Sequence, residues 1–310
     1  MRTNPLDGKV ALVAGATRGA GRAFAVELAR AGAHVYATGR SSRDSGRSEI
    51  DRPETIEETG ELIEAAGGRG SAVVVDHEDP AAVAALIARI KADQGRLDIC
   101  VNDIFGGDRY ADWEHGVWEH DLAGGLRMLA MGVNTHLITA HHALPLMFES
   151  GGGLLVEVTD GTAEYNANFR PGVGLYYDLV KANIARIVLA LHHELADRPV
   201  TPLAVTPGWL RSENMLDQFG VSEANWRDAI RKVPGFWISE SPSYVARGLA
   251  ALAGDPEVAR YSGLTLTARQ LAEQYGVTDT DGSRPDCWGY LAEVAPGVGQ
   301  ATAEHQARYR

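Results

Sequence analysis

Near the start of the chain a glycine-rich turn sits between an apolar run and a helix pattern, and this narrows the possible folds more than any other feature. Val10-Ala-Leu-Val-Ala14 reads as a short buried strand, and Gly15-Ala-Thr-Arg-Gly19-Ala-Gly21 follows at once. Residues 22–31 then carry apolar side chains at helical spacing. Strand, turn and helix in that order bring backbone N–H groups and a helix N-terminus to one point, where a pyrophosphate can sit. The spacing is GxxxGxG rather than GxGxxG, and its place at the first strand-to-helix junction gives it meaning.

The same alternation continues along the chain. Strands are expected over 34–38, 72–75, 97–101, 154–159 and about 203–205, with helices over 54–66, 80–94, a stretch ending near Phe148, and about 176–195. Such alternation implies right-handed crossovers and a doubly wound parallel sheet, a three-layer α/β/α Rossmann-type arrangement. No linker or composition break divides it, so residues 1–310 are expected to form one domain. Two segments leave the rhythm: 209–242, rich in aromatics (Trp209, Phe219, Trp226, Phe236, Trp237), and the extension 271–310. The first is expected to be a substrate lid, with simple peripheral packing as the alternative.

Charge excludes whole classes of partner. Forty-one acidic residues against 29 basic ones leave a net charge of -12, unsuited to nucleic acid or an anionic membrane surface. No run approaches the roughly 18 apolar residues of a membrane span, and residues 1–7 lack an apolar leader core. Cys100 and Cys287 are too few for a disulfide framework and lack zinc spacing, which points to a reducing, cytoplasmic setting.

The second strand ends in Gly39-Arg40, where an NAD-binding enzyme would carry an acidic residue for the ribose 2'-hydroxyl. Arg18 and Arg40 are expected to form a fork for a 2'-phosphate instead, so the cofactor is expected to be NADP(H). Thr17 in the loop and His77 after the third strand join the candidate cofactor contacts.

These residues resemble the classical short-chain dehydrogenase/reductase family over about 6–265. Gly15, Gly19 and Gly21 match its TGxxxGxG, with Ala14 in place of Thr; Asp76 matches the acidic residue at adenine. Asn102 matches the first Asn of NNAG, which here continues Asp103-Ile104-Phe105. Asn134 matches the tetrad Asn, Tyr177 and Lys181 match YxxxK, and Pro207-Gly208 with Ser212 match the PG motif and the hydroxyl that holds the carboxamide. The resemblance implies hydride transfer between NADP(H) and a carbonyl or alcohol of a small substrate, in a homodimer or homotetramer built on helices around 116–148 and 176–195. Tyr177 would be the general acid/base, Lys181 would lower its pKa and hold the ribose, and Asn134 would anchor a relay water. At i and i+4 of a helix, Tyr177 and Lys181 share one face. The apolar lid suggests a largely hydrophobic substrate.

The family's Ser falls on Asp160, in Val156-Glu157-Val158-Thr159-Asp160-Gly161. Three accounts stand open. Asp160 is protonated and donates; or it is ionised and favours a cationic substrate such as an iminium; or Thr159 or Thr162 supplies the hydroxyl while Asp160 caps the turn. Ketone reduction and imine reduction are thus both open, as is a degenerate NADP(H)-binding sensor. The run Gln274-Tyr-Gly-Val-Thr-Asp279-Thr-Asp281-Gly-Ser-Arg-Pro is similar to the tail of a dehydrogenase/reductase subgroup of the family. Its resemblance to a calcium loop fails at the twelfth position, Tyr290. His141-His142 and His192-His193 are adjacent on helices, so neither pair can chelate one metal, and no metal site is expected.

Overall fold

The computed structural model describes residues 4–170, 172–293 and 302–310; residues 1–3, 171 and 294–301, the last of them part of the extension, lie outside the described residues. Among the described residues seven strands form one sheet: β1 Val10–Ala14, β2 His34–Gly39, β3 Arg69–Val74, β4 Ile99–Asn102, β5 Gly153–Val158, β6 Val200–Thr206 and β7 Thr265–Thr267. Their order is β3-β2-β1-β4-β5-β6-β7, every pair parallel. The expected parallel α/β sheet is therefore present. Strand β3 starts earlier than 72 because Arg69 and Gly70 already pair with His34 and Val35 at the half-exposed edge. Strand β7 has no counterpart in the sequence pattern, since three residues carry too little periodicity.

Helices cover both faces. On one side α1 (Gly19–Arg30), α2 (Ile56–Ala65), α9 (Pro242–Ala253) and α10 (Ala268–Tyr275) bury Phe24, Leu28, Ile63, Leu249 and Leu271 against Val13, Val35, Val101 and Leu203. On the other, α3 (Pro80–Gln94) and α5 (Thr135–Glu149) bury Ile87, Ile90, Ala143 and Met147 against Leu12, Cys100 and Leu155. Leu12 and Val13 thus face opposite layers, as the two-residue period of a strand requires. Local chemistry fixes element ends: Asp79 accepts from Ala81 and Ala82 N–H ahead of Pro80, and Gly95 closes α3 at φ 71°.

Helix α7 (Leu175–Glu194) packs along β5 and β6 on the second face, with Leu191 against its core. The other helices lie nearer the cleft: α4 (Leu122–Leu129), α6 (Ala163–Asn166), α8 (Glu213–Phe219), α11 (Cys287–Glu293) and α12 (Ala303–Tyr309). The sheet order reverses between β1 and β4, so the C-terminal ends of these strands flank a crevice, the usual ligand position in such sheets. Gly15 makes the crevice possible. It adopts φ 87°, and a Cβ there would lie 2.6 Å from the Asp103 carbonyl oxygen, so only glycine lets the β1 turn approach β4.

Candidate active site

A cleft of about 960 Å³ runs along this edge, with the glycine loop at one end and Tyr177 at the other. Gly15, Thr17, Arg18, Gly19, Arg40, Asp76 and His77 line the first end. Gly21 lies beneath the loop, where a Cβ would stand 2.2 Å from the Gly15 carbonyl oxygen. Thr17 packs over Gly39, whose missing Cβ leaves room for the Thr17 hydroxyl. His77 is buried between the Thr38 and Thr139 hydroxyls, 2.8 Å from each, and burial, then the nearby His136, pushes it down to about 3. It is a neutral hydrogen-bonding ring at neutral pH.

The expected pair of free arginines is not what the structure contains. Arg40 is bound by Glu49 and Glu78, each at 3.1 Å, and the same two carboxylates hold Arg127. No local pattern signals this, because Glu49, Glu78 and Arg127 come from three separate segments. Arg18, by contrast, makes no ion pair or side-chain hydrogen bond among the described residues. Across the loop, Glu213 at the start of α8 accepts from Gly19 N–H at 2.8 Å and lies 3.4 Å from Arg22. A carboxylate therefore covers the N-terminus of α1.

At the other end, α7 presents Tyr177 and Lys181 on one face toward the cleft. The Tyr177 hydroxyl donates to Asp160 Oδ2 at 2.9 Å, and Arg170 donates to the same oxygen at 3.1 Å. Burial, then the Asp160 and Asp108 charges, holds the Tyr177 phenol well above the usual tyrosine value. The Lys181 ammonium lies 3.5 Å from the Phe105 ring centroid, a cation–π contact, and burial lowers its pKa against the pull of Asp160, Asp108 and Asp103. Thr159 donates to the Lys181 carbonyl at 2.9 Å, and Thr162 caps α6 through Tyr165 N–H. Neither threonine hydroxyl takes the Ser position, and the cap belongs to Thr162 rather than Asp160.

Asn134 is not brought to this group. A π turn over Ala130–Asn134 takes up one extra residue, which leaves Asn134 exposed and aims Met131, Gly132, Thr135 and His136 at the cleft. Asn102 also stops short of the cleft: fully buried, it donates to Glu157 Oε1 at 2.8 Å, and Glu157 Oε2 meets His136 Nδ1 at 2.5 Å. His136 Nε2 faces the Ile104 carbonyl oxygen at 3.0 Å, so a buried Asn102–Glu157–His136 chain underlies the site. A carboxylate between Val156 and Val158 in a buried strand was the signal for it.

Pro207, Gly208 and Ser212 line the cleft, with Ser212 capping α8 through Met215 N–H at 3.4 Å. The lid aromatics pack mainly on one another: Phe219, Trp226 and Trp209 surround Phe236 at centroid distances of 4.8, 6.0 and 5.4 Å. Of the five aromatics in 209–242, Trp209 alone lines the cleft. Phe219, Trp226 and Phe236 form the segment's own small core, and Trp237 packs on Tyr290 of the extension. The apolar wall comes from Phe105 and Trp113, from Leu210, Met215, Val233 and Ile238 of the 209–242 segment, and from the extension, whose Trp288 donates to the Pro207 carbonyl at 2.8 Å. Asp279 and Asp281 are engaged by Ser241, Ser283, Arg211 and Arg310, a salt-bridged turn.

The family model for short chain dehydrogenases matches residues 9–220. The chain belongs to the classical short-chain dehydrogenase/reductase family. Mouse dehydrogenase/reductase SDR family member 1 is 31% identical over 284 residues, covering 90% of this chain and 85% of that protein. A Serratia marcescens short-chain dehydrogenase/reductase, solved as a mutant, is 27% identical with a TM-score of 0.67, covering 85% of this chain and 97% of that one. A 7α-hydroxysteroid dehydrogenase solved with NADH and 7-oxo glycochenodeoxycholic acid shares the fold at 21% identity and a TM-score of 0.67, over 92% of this chain and 98% of that one. The protein is thus an oxidoreductase of a family that transfers hydride with NAD(P)(H) between alcohols and carbonyls. Among the described residues no helix is long and apolar enough to cross a membrane.

Proposed function

We propose that this short-chain dehydrogenase/reductase uses NADP(H) to interconvert a carbonyl and an alcohol on a small, largely hydrophobic substrate, with Tyr177 as the general acid/base. The observation that carries the reading is one cleft with Tyr177 and Lys181 at one end and the glycine loop at the other. The tight turn that glycine at Gly15 permits beside the start of α1, and the unpaired Arg18, fit a dinucleotide there. Gly15, Thr17, Arg18, Gly19, Asp76, Pro207, Gly208 and Ser212 would hold it. The bound nicotinamide supplies or accepts the hydride.

In reduction, Tyr177 gives its proton to the substrate oxygen, and Lys181 and Arg170 balance the phenolate left behind. Phe105, Trp113 and Trp288 exclude water around the reacting carbon. One observation favours imine reduction as a second reading: Asp160 lines the cleft, and its Oδ1 makes no hydrogen bond among the described residues, so a carboxylate oxygen is available to a protonated C=N nitrogen. Screening apolar ketones, aldehydes and cyclic imines by NADPH absorbance separates the two.

For the coenzyme, of the two expected arginines Arg18 is the one without an ion pair among the described residues and can meet a 2'-phosphate, while Arg40 is already shared between Glu49 and Glu78. NADPH is expected to bind at least about tenfold more tightly than NADH, and Arg18→Ala to remove most of that preference without weakening NADH. Fluorescence titration checks both, and tighter NADH binding by the wild type refutes the NADP(H) assignment. Glu213 should oppose either coenzyme, because its carboxylate holds the Gly19 N–H that a diphosphate oxygen needs. Glu213→Gln is expected to tighten binding about threefold to tenfold, about 1 kcal/mol; weaker binding would show that Glu213 supports the site.

Exposed leucines on α4 (Leu122, Leu126), α5 (Leu137) and α7 (Leu175, Leu179, Leu189) support a homodimer or homotetramer assembled through these helices, and the free, buried Cys100 and Cys287 fit a reducing, cytoplasmic setting.

A further inference from the structure

Arg170 lies in the loop between α6 and α7, with its side chain only 5% exposed. Its NH1 donates to Asp160 Oδ2 at 3.1 Å, its backbone N–H donates to Asp178 Oδ1 at 3.1 Å, and its Nε stands 3.7 Å from that oxygen. Nε and NH2 are buried with no hydrogen-bond partner among the described residues. The guanidinium carbon sits 5.6 Å from the Tyr165 ring centroid and 5.5 Å from that of Tyr177. Unbonded buried nitrogens are costly, and an apolar side chain of similar volume would fill the space without that cost. Stability alone does not explain an arginine here.

The charge it answers does. Asp160 Oδ2 accepts from Arg170 and from the Tyr177 hydroxyl at once. When Tyr177 loses its proton, the O–H bond breaks, a new O–H bond forms on the substrate, and a phenolate oxygen is left about one hydrogen bond from a carboxylate. Like charges that close oppose the transfer strongly. The groups around Tyr177 are Asp160 at the end of β5, Asp108 after β4, Arg170 before α7, and Asp178 and Lys181 on α7. Lys181 by itself does not offset that many carboxylates.

We propose that Arg170 is a positioning residue for proton transfer: it neutralises Asp160, which replaces the family's Ser, so that Tyr177 can give up its proton beside a carboxylate. This rests on Tyr177 being the proton donor. The guanidinium never touches substrate; it acts through Asp160 and through the field at the phenol. The pair together replaces one neutral hydroxyl.

The test is a double-mutant cycle on kcat and KM, across pH, with any carbonyl that the wild type reduces. Arg170→Met is expected to lower kcat about 10- to 100-fold with KM changed less than about threefold. It should also move the alkaline limb of kcat/KM for reduction upward, because lost positive charge makes the phenol hold its proton more tightly. Arg170→Lys, which keeps the charge, should restore most of kcat, and carries the pH comparison should Arg170→Met not fold. In an Asp160→Asn background, Arg170→Met should cost less than about threefold, since the carboxylate it serves is gone. Equal losses in both backgrounds, an unmoved pH profile, or Arg170→Lys no better than Arg170→Met would each overturn the proposal. An active Tyr177→Phe enzyme would instead overturn the assignment of the proton donor, a separable result.

Discussion

Tyr177→Phe is expected to lower kcat for carbonyl reduction by about a thousandfold or more while leaving coenzyme affinity within about threefold. Phe keeps the ring that packs edge-on against Phe105 and Trp113, at 5.8 and 5.1 Å between centroids, so the fold and the cleft wall should survive. What disappears is the hydroxyl that donates to Asp160 and, in turnover, to the substrate oxygen. The pH dependence adds a second check. Burial, then the charges of Asp160 and Asp108, keeps the phenol protonated beyond the usual tyrosine range. Reduction needs the protonated form, so its kcat/KM should stay flat through neutral pH and fall only when the medium becomes strongly alkaline. Oxidation needs the phenolate and should climb with pH over the same range. Steady-state kinetics in both directions measures this, and a Tyr177→Phe enzyme within about threefold of wild type would remove Tyr177 from the chemistry.

The parts of this site that were legible in the sequence are those fixed by local geometry. The glycine turn announces itself because Gly15 must adopt φ 87° against β4, and Tyr177 and Lys181 follow from one helical turn. Asn134 was misplaced because a π turn over Ala130–Asn134 shifts helical phase by one residue, and apolar periodicity does not reveal such a turn in a mostly apolar stretch. Arg40 looked free for a related reason. Its partners Glu49 and Glu78, with Arg127 that shares them, lie on separate segments, and their meeting is a property of the fold. Arg170 and Trp288 escaped notice likewise, since loop and extension reach the cleft by tertiary packing. Glu157 also went unread, although a carboxylate inside an apolar strand needs a buried partner, and it leads directly to Asn102 and His136.

Arg211→Met should produce the largest loss of stability. The Arg211 side chain is fully buried between the lid and the extension, donating to Glu223 at 2.9 and 2.7 Å, to the Ser239 carbonyl at 2.7 Å and to Asp279 at 3.1 Å. Its guanidinium carbon also lies 4.4 Å from the Trp226 ring centroid. Glu223 reaches solvent and can rehydrate, but Asp279 is fully buried, and the other cation near it, Arg310, stands 3.9 Å away. Removing one member of a buried ion pair strands the other, which costs about 3–5 kcal/mol. For a chain of this size that corresponds to a fall in Tm on the order of 10 °C by calorimetry. The double replacement Arg211→Met with Asp279→Leu removes both charges, so it should regain part of the loss. A double variant no more stable than Arg211→Met would mean that Trp226 packing and the Ser239 carbonyl, not the stranded carboxylate, set the penalty. Because Leu210 and Ser212 line the cleft on either side of Arg211, the single variant should also weaken coenzyme binding, although Arg211 itself does not line that cleft.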